Sequence, residues 1–516
     1  MKKTLLISII IYQLVAFNSK CFGQGALFNW AQNYTTPIDK IELDNLSNIY
    51  SIGGGTVSKR TSSGTLLWSR NITPINSLAV SPEGNVYITG GFTGTVNFNS
   101  WGAGYLMTSA GDNDIFVSKL NTNGNFVWAQ RIGDVGADSA TQISLDTLGH
   151  AYLTGKFSGS VDFDPGPGTQ IHSNANNFIL KLDTSGSFVW AKSLNIAGFP
   201  NSWEEGITLS KAYKDGYLYC VGMQYNSDLD PGPGIFVNNI GSDFLLKLDP
   251  SGNFVSAYIG PGFWGYPPHL NDMTLDHNKN VNLTTSSHTF GNQNYADISK
   301  YESSCVFQSS QNLLSSGTGN TIEIAGIDVD PQNRVYATGF FTDNVTIGNQ
   351  QYFVPVDDFW QYDTRGAFLV SFNNNFTAPN WIRTFTNPFL SPMGVYVTNN
   401  CLAVSNNGCV YCAGSFNGNV NFNPSGTPYS LSSNTGSSHL NSFCNTTCST
   451  IFTNVTDTVN CYTLINGGFI NTSGNYTSNL VSSAGCDSVV NINLTVRNPA
   501  VDTISVSACN SFTYNG

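Results

Sequence analysis

Charged side chains are scarce in this chain. Asp, Glu, Lys and Arg make up 10% of its 516 residues, against roughly 25% in an ordinary soluble domain. Bases are the scarcer sign, 21 Lys and Arg against 33 acids, a net charge of −12. A phosphate-binding surface would need the opposite balance, so nucleic acid is a poor candidate partner and none is expected. Long apolar runs are also missing: beyond the first residues nothing approaches 18 uninterrupted apolar positions, so no transmembrane segment is expected. The six histidines (His150, His172, His269, His277, His288, His439) form no His-Glu-x-x-His, and no Gly-x-Ser-x-Gly, Walker or dinucleotide fingerprint occurs. A seven-arginine complement, scattered along the chain, offers no carboxylate-binding cluster.

What is present is apolar and turn-rich. Hydrophobic residues make up 40%, aromatics 13%, and there are 51 glycines, a mixture that points to β-structure with many turns and enough material for a core. Lys2 and Lys3 precede an apolar stretch, residues 5–17, too short to span a bilayer, and Gly23 is a suitable small residue before cleavage. Residues 1–23 are therefore expected to be a secretory signal peptide, and its loss would bring the net charge to −15. Export makes disulfides permissible, and eight of the eleven cysteines lie from Cys401 to Cys509. Cys220 and Cys305 stand alone in strand-like segments and read as buried thiols.

A repeat organises the chain. Leu78-Ala-Val-Ser-Pro-Glu-Gly-Asn-Val-Tyr-Ile-Thr-Gly90 recurs as Ile143 to Gly155 and Ile327 to Gly339, with looser copies beginning at Ile41, Ile207, Met273 and Leu402. Each copy is two alternating runs around a turn, the pattern of an antiparallel strand pair. A second pair follows, Asp114-Ile-Phe-Val-Ser-Lys-Leu then Gly124-Asn-Phe-Val-Trp-Ala-Gln, repeated from Asn177 and Gly186. Seven copies of four strands, with the shared position (Tyr50, Tyr87, Tyr152, Tyr219, Asn282, Tyr336, Tyr411) recurring every 37 to 75 residues, bracket the roughly 40–50 residues of a propeller blade. The seventh copy lacks its last strand, yet Leu27-Phe-Asn-Trp-Ala-Gln32 is an orphan of that type at the other end. Ring closure is expected, with Trp30 beside Ser442 and Phe443.

The fold class is therefore all-β: a seven-bladed β-propeller over residues 24–448, built of four-stranded antiparallel blades with the N-terminal strand completing the last one. With the runs Phe92 to Asn99 and Phe157 to Gly168, residues 27–445 resemble the bacterial seven-bladed β-propeller repeat family called SBBP. That resemblance implies an exported, surface-associated propeller and no agreed reaction. Residues 449–498 change pattern and resemble the small tandem β-modules of long bacterial surface proteins, expected as a β-sandwich-like unit. The resemblance implies a Cys461–Cys486 disulfide. A second copy opens at residues 499–516 and stops in mid-repeat, so the chain is expected to be a piece of a longer protein and Cys509 to lack its partner here.

Asp162-Phe-Asp-Pro-Gly-Pro-Gly168 and Asp228-Leu-Asp-Pro-Gly-Pro-Gly234 could start a calcium site through Asp162, Asp164, Asp228 and Asp230. Asn97 and Asn99, and Asn421 and Asn423, replace them in other repeats, so a turn-making role is the favoured reading and no cofactor is expected. Lys59, Lys119, Lys181, Lys247 and Lys300 share one position, expected to pack between blades with the ammonium on a neighbouring acid. Trp68, Trp128, Trp190 and Trp381 read as blade-to-blade packing. A tight turn at Asn406-Asn407 would place Cys401 opposite Cys412 as a cross-strand disulfide. The aromatic, proline-rich run 261–268 offers Phe263, Trp264 and Tyr266 as a binding loop.

The expected function is that of a non-enzymatic, secreted or cell-surface propeller, monomeric, serving as an adhesion or interaction scaffold for a protein or glycan ligand. The alternative is a carbohydrate- or polymer-degrading enzyme with an axial site, drawing on Asp228, Asp230, Glu204 and Glu205 as acid and base at defined separation.

Overall fold

The computed structural model describes residues 26–444 apart from 73, 198–205, 238–240, 261–268, 288–294, 315–320, 349, 354–364, 377, 387–395 and 425, together with strand segments between 451 and 497. No helix occurs among the described residues. Two compact units separate, one spanning Ala26–Cys444 and the other residues 1–25 and 445–516.

The larger unit is a ring of seven four-stranded antiparallel blades, whose strands we call a to d from the axis outward. Blade 1 is Lys40–Leu43, Ile49–Gly53, Thr56–Arg60 and Leu66–Asn71. Blade 2 is Ser77–Val80, Val86–Phe92, Asp114–Leu120 and Phe126–Ile132. Blade 3 is Ser139–Leu145, Ala151–Lys156, Asn177–Leu182 and Phe188–Leu194. Blade 4 is Gly206–Ala212, Leu218–Gln224, Ser242–Leu248 and Phe254–Ile259. Blade 5 is His269–Leu275, Val281–Ser287, Tyr295–Tyr301 and Phe307–Leu314. Blade 6 is Ile322–Val329, Val335–Thr342, Arg365–Phe372 and Pro379–Phe385. Blade 7 is Val397–Val404, Cys409–Asn421, Ser430–Cys444 and, from the opposite end of the unit, Leu27–Tyr34.

Burial follows strand position. Strand b of blades 1 and 2 is buried on both faces, whereas the d strands alternate between exposed and half-buried. A sheet packed between two neighbours must be apolar on both faces through its middle, while its outer edge meets water. The core is accordingly a circle of clusters between blades, such as the one joining Ile115 and Val117 of blade 2 to Leu153 and Phe178 of blade 3.

Closure occurs as the sequence predicts. Trp30 pairs with Ser442 and Phe28 with Phe443. Among the described residues, blades 2, 3, 4, 6 and 7 carry hairpin flaps between strands b and c. In blades 2, 3 and 7 each flap returns a phenylalanine to its blade: Phe98 against Phe92 and Phe116, Phe163 against Phe157 and Phe178, Phe422 against Phe416.

The expected Cys401–Cys412 disulfide is not formed; both are free, buried thiols, and the described residues contain instead a Cys409–Cys444 disulfide. The reason is one residue of register. Ser405 N donates to Cys409 O across a loop longer than the tight turn expected, so Leu402 faces Cys412 and Cys401 faces Ala413. A shift of one residue sends the two sulfurs to opposite faces. Cys409 and Cys444 are direct partners on strands b and c. Because they close a 35-residue span, reduction should cost about 4 kcal/mol on the loop-entropy relation. Urea unfolding with and without reductant, compared with Cys409→Ser, measures it; an unchanged midpoint in both would contradict the bond's role. Cys220 and Cys305 are buried free thiols, as read from the sequence.

In the smaller unit, Ile451–Asn460 runs parallel to Asp487–Arg497, which pairs antiparallel with Gly474–Val481, and Thr463–Ile465 pairs with Gly468–Ile470. Cys461, Cys486 and residues 1–25 lie outside the described residues.

Candidate functional site

The repeated polar residues build the joints between blades. Lys59 Nζ and Trp68 Nε1 of blade 1 both donate to the carbonyl of Thr122, in the c–d turn of blade 2, at 3.3 and 3.1 Å. Lys119 and Trp128 do the same to Thr184, and Lys181 and Trp190 to Pro250. Trp30 reaches Ser62 at the closure. The Trp68, Trp128 and Trp190 indoles each lie on the glycine of the turn they bond: a Cβ added at Gly124 would stand 2.6 Å from Trp68, and its φ of +72° is in any case a glycine conformation. The tryptophans are thus blade-to-blade contacts. The lysines have the interblade position expected; their acids, Asp44, Asp146 and Asp276, come from the a–b turn of the same blade. Tyr50 and Tyr152 hydroxyls bridge those turn aspartates to Gly84 and Gly216 of the next blade. Burial, then the adjacent Asp44, pushes the Tyr50 hydroxyl well above its ordinary value, keeping it a donor.

A channel of about 390 Å³ occupies the axis, lined by the a strands of all seven blades. Register places its residues in layers. Residues paired with the shared tyrosine position form one: Glu42, Ala79, Ser144, Lys211, Thr274, Asp328 and Ala403. The next layer includes Lys40, Ser77, Gln142, Asp272 and Cys401. Blades 1 and 4 stand across the ring, yet Lys211 of blade 4 comes within 3.8 Å of Glu42 of blade 1; an ion pair spans the axis. Lys40 lies 4.0 Å from the same carboxylate and donates to Ser77 Oγ at 3.1 Å. Asp272 and Asp328 accept backbone N–H groups of the next blade, from Ile327 at 3.0 Å and Val404 at 2.8 Å. These side chains touch channel space yet are hemmed in by protein, so desolvation dominates at Asp272 and Lys40. Burial pushes Asp272 up to about 6 and pulls Lys40 down, while Glu42 holds Lys211 well above its ordinary value. Strand a carries a one-residue bulge in blades 3 to 7, and bulges re-aim side chains; Asn271, Ala325 and Asn400 lie at three of them and line the channel.

Asp162 and Asp228 lie in the flaps. Asp162 Oδ1 accepts Asp164 N and Gln170 N, Asp228 Oδ1 accepts Asp230 N and Phe236 N, and Asn97 and Asn421 repeat the pattern with Asn99 N and Tyr105 N, Asn423 N and Tyr429 N. Asp164 and Asp230 in turn accept Gly166 N and Gly232 N. None of the four lines the axial channel. Phe263, Trp264, Tyr266, Glu204 and Glu205 lie outside the described residues. The sequence pattern alone does not single out the axial group, although the repeat that carries the shared tyrosine position contains it on the adjoining strand, directly opposite.

His439 is fully buried in blade 7, with Nε2 donating to Thr398 O at 2.9 Å and Nδ1 accepting from Asn441 at 3.1 Å. Burial pulls its pKa down to about 4. The folded value lies below the unfolded one of about 6.5, so stability is complete above pH 6.5 and is lost as pH falls toward 4, by up to about 3 kcal/mol. Asp243, Asp272 and Asp297, each raised to about 6 by burial, act in the opposite sense over pH 4 to 6. The histidine's share is isolated by His439→Gln: the unfolding free energy at pH 4.5 minus that at pH 7 should be more favourable in the variant than in the wild type by about 2 kcal/mol, and an unchanged difference would refute it.

The chain is a seven-bladed β-propeller. Over 190 residues it is 27% identical to an uncharacterized WD repeat-containing protein of Acanthamoeba polyphaga mimivirus, a match covering 33% of this chain and 12% of that protein. Among solved structures it is similar to the Neurospora crassa Pan2 WD40 domain, with TM-score 0.39 and 10% identity over 79% of this chain and 89% of that one. It is also similar to BBS1N in complex with ARL6DN, with TM-score 0.38 and 8% identity over 83% and 99%. No family model matches.

Proposed function

We propose that this chain is a non-enzymatic binding propeller, exported and surface-associated in the manner of the SBBP-type proteins it resembles, that recognises a protein partner on its outer wall. One observation carries the reading. Val127, Val189 and Val255 occupy one position of strand d in blades 2, 3 and 4, and all are exposed; Leu67 continues the row in blade 1. The flaps of the same three central blades add Leu106, Ile171 and Val237, exposed by 70, 59 and 44%. Apolar residues scattered singly need no explanation, but a row across consecutive blades of one rigid ring marks an interaction surface. The alternative enzyme loses its support at Asp228 and Asp230, whose carboxylates make turn bonds outside the channel.

The test is capture of the full chain on an array of glycans and matrix proteins, with and without a calcium chelator. A saturable protein hit should vanish for Val127→Glu/Val189→Glu/Val255→Glu while its thermal midpoint stays within about 2 °C, since exposed sites are nearly neutral for stability. Chelation should change neither. Protein capture that survives the triple substitution would remove the wall as the site.

A further inference from the structure

The outer wall leaves the axial channel unused. From its geometry we infer a second, separate binding site: the channel takes a small, uncharged, polyhydroxylated ligand of mono- or disaccharide size. Its volume of about 390 Å³ falls within the range of small-ligand pockets. Its chemistry narrows the occupant by elimination. Asp39, Glu42, Asp272 and Asp328 against Lys40 and Lys211 leave the lining acidic, which disfavours a carboxylate or phosphate. Lys211 extends its ammonium across the axis to Glu42, with Asp328 and Asp272 also acting on it, so a ligand cation would meet a resident cation among those acids. The described residues hold no cluster of three groups suited to a metal ion.

A hydroxyl group fits where these do not, because it donates and accepts at once. Lys211 and Glu42 stand at 3.8 Å and Lys40 and Glu42 at 4.0 Å, beyond hydrogen-bond length. Each ammonium carries three donors and only one Lys40 proton goes to Ser77 Oγ, so N–H donors and carboxylate lone pairs stand side by side with capacity left over, and the Gln142 and Asn400 amides are on the same wall. Hydrogen bonds from a hydroxyl to such ionised groups are of the stronger, charge-assisted kind. Met273, Leu145 and Leu209 supply an apolar wall for the C–H face of a sugar ring.

Isothermal titration and ligand-observed NMR on the full chain test this, with methyl glucoside, methyl galactoside, N-acetylglucosamine and cellobiose as probes and glucuronate, inorganic phosphate, lysine and spermidine as charged comparators. Saturable binding of a neutral sugar, at least tenfold weaker in Glu42→Gln/Lys211→Gln, is expected. Should that variant misfold by circular dichroism, Ala79→Met, which narrows the channel without touching a charge, must weaken sugar binding as much. Saturable binding of only the charged comparators, binding of none, or sugar binding untouched by a folded channel variant would each overturn the inference. The valine triple variant should keep its sugar binding, so failure of the outer-wall reading and failure of this one are separable.

Discussion

A chain lacking residues 26–34 should lose its cooperative unfolding transition, or unfold at least about 5 kcal/mol more easily. These residues are strand d of blade 7, and they hold seven paired positions against Leu440 to Cys444 and their neighbours. Without them Phe443 loses the edge of Phe28 at 5.8 Å, and the interblade bond from Trp30 to Ser62 disappears. The larger cost is topological. In an open ring both end blades expose a face built for burial, and several backbone hydrogen bonds at about 1 kcal/mol each go with the apolar contact. Urea unfolding followed by near-ultraviolet circular dichroism measures the loss, and a synthetic peptide of residues 26–36 added in trans should restore much of it. Wild-type stability in the shortened chain would mean that strand pairing at the closure is dispensable.

Gly339→Ala should destabilise the propeller by about 3 kcal/mol or more, although this glycine sits in ordinary strand conformation. The obstacle is proximity: a Cβ there would stand 1.8 Å from Glu323 O and 2.8 Å from Glu323 C in the adjoining a strand. Backbone cannot rotate aside as a side chain can, so the sheet must part. Gly155, Gly222 and Gly414 face Ser139 O, Gly206 O and Thr398 O at 2.1, 2.0 and 1.9 Å, and the same substitution there should cost as much. Gly159 is the control. Its φ is +80° but nothing lies within 4 Å of an added Cβ, so Gly159→Ala should cost only about 1 kcal/mol of backbone strain. Equal losses at Gly159 and Gly339, by urea unfolding, would show that conformation and not crowding decides.

The Thr-Gly ending of strand b was visible in the sequence, at Gly90, Gly155 and Gly339, as one letter of a repeat; its cause was not. At Gly155, Gly222, Gly339 and Gly414 the close approach falls beside the bulge of the a strand, and the bulge leaves no residue signature, since Thr141, Thr208, Asn271, Ala325 and Asn400 fill it in different blades. The lysine position was read as an interblade contact, but its acceptor, a turn carbonyl of the next blade, has no side-chain signal. The misplaced disulfide has the same origin: two residues or three in the turn after Ser405 decide which cysteines face one another, and Asn406-Asn407 alone did not distinguish them.

The sequence by itself determined the number of blades, the order of strands within each and the closing strand, because period-two alternation, turn glycines and a recurring Phe-Val-Trp strand are local chemistry repeated often enough to count. Only the tertiary structure decided what meets across the ring. Glu42 and Lys211 are unremarkable in two strands 169 positions apart. They become an axial ion pair because closing seven twisted sheets into a circle sets blade 1 opposite blade 4, a distance fixed by the geometry of the whole ring and encoded in no single repeat.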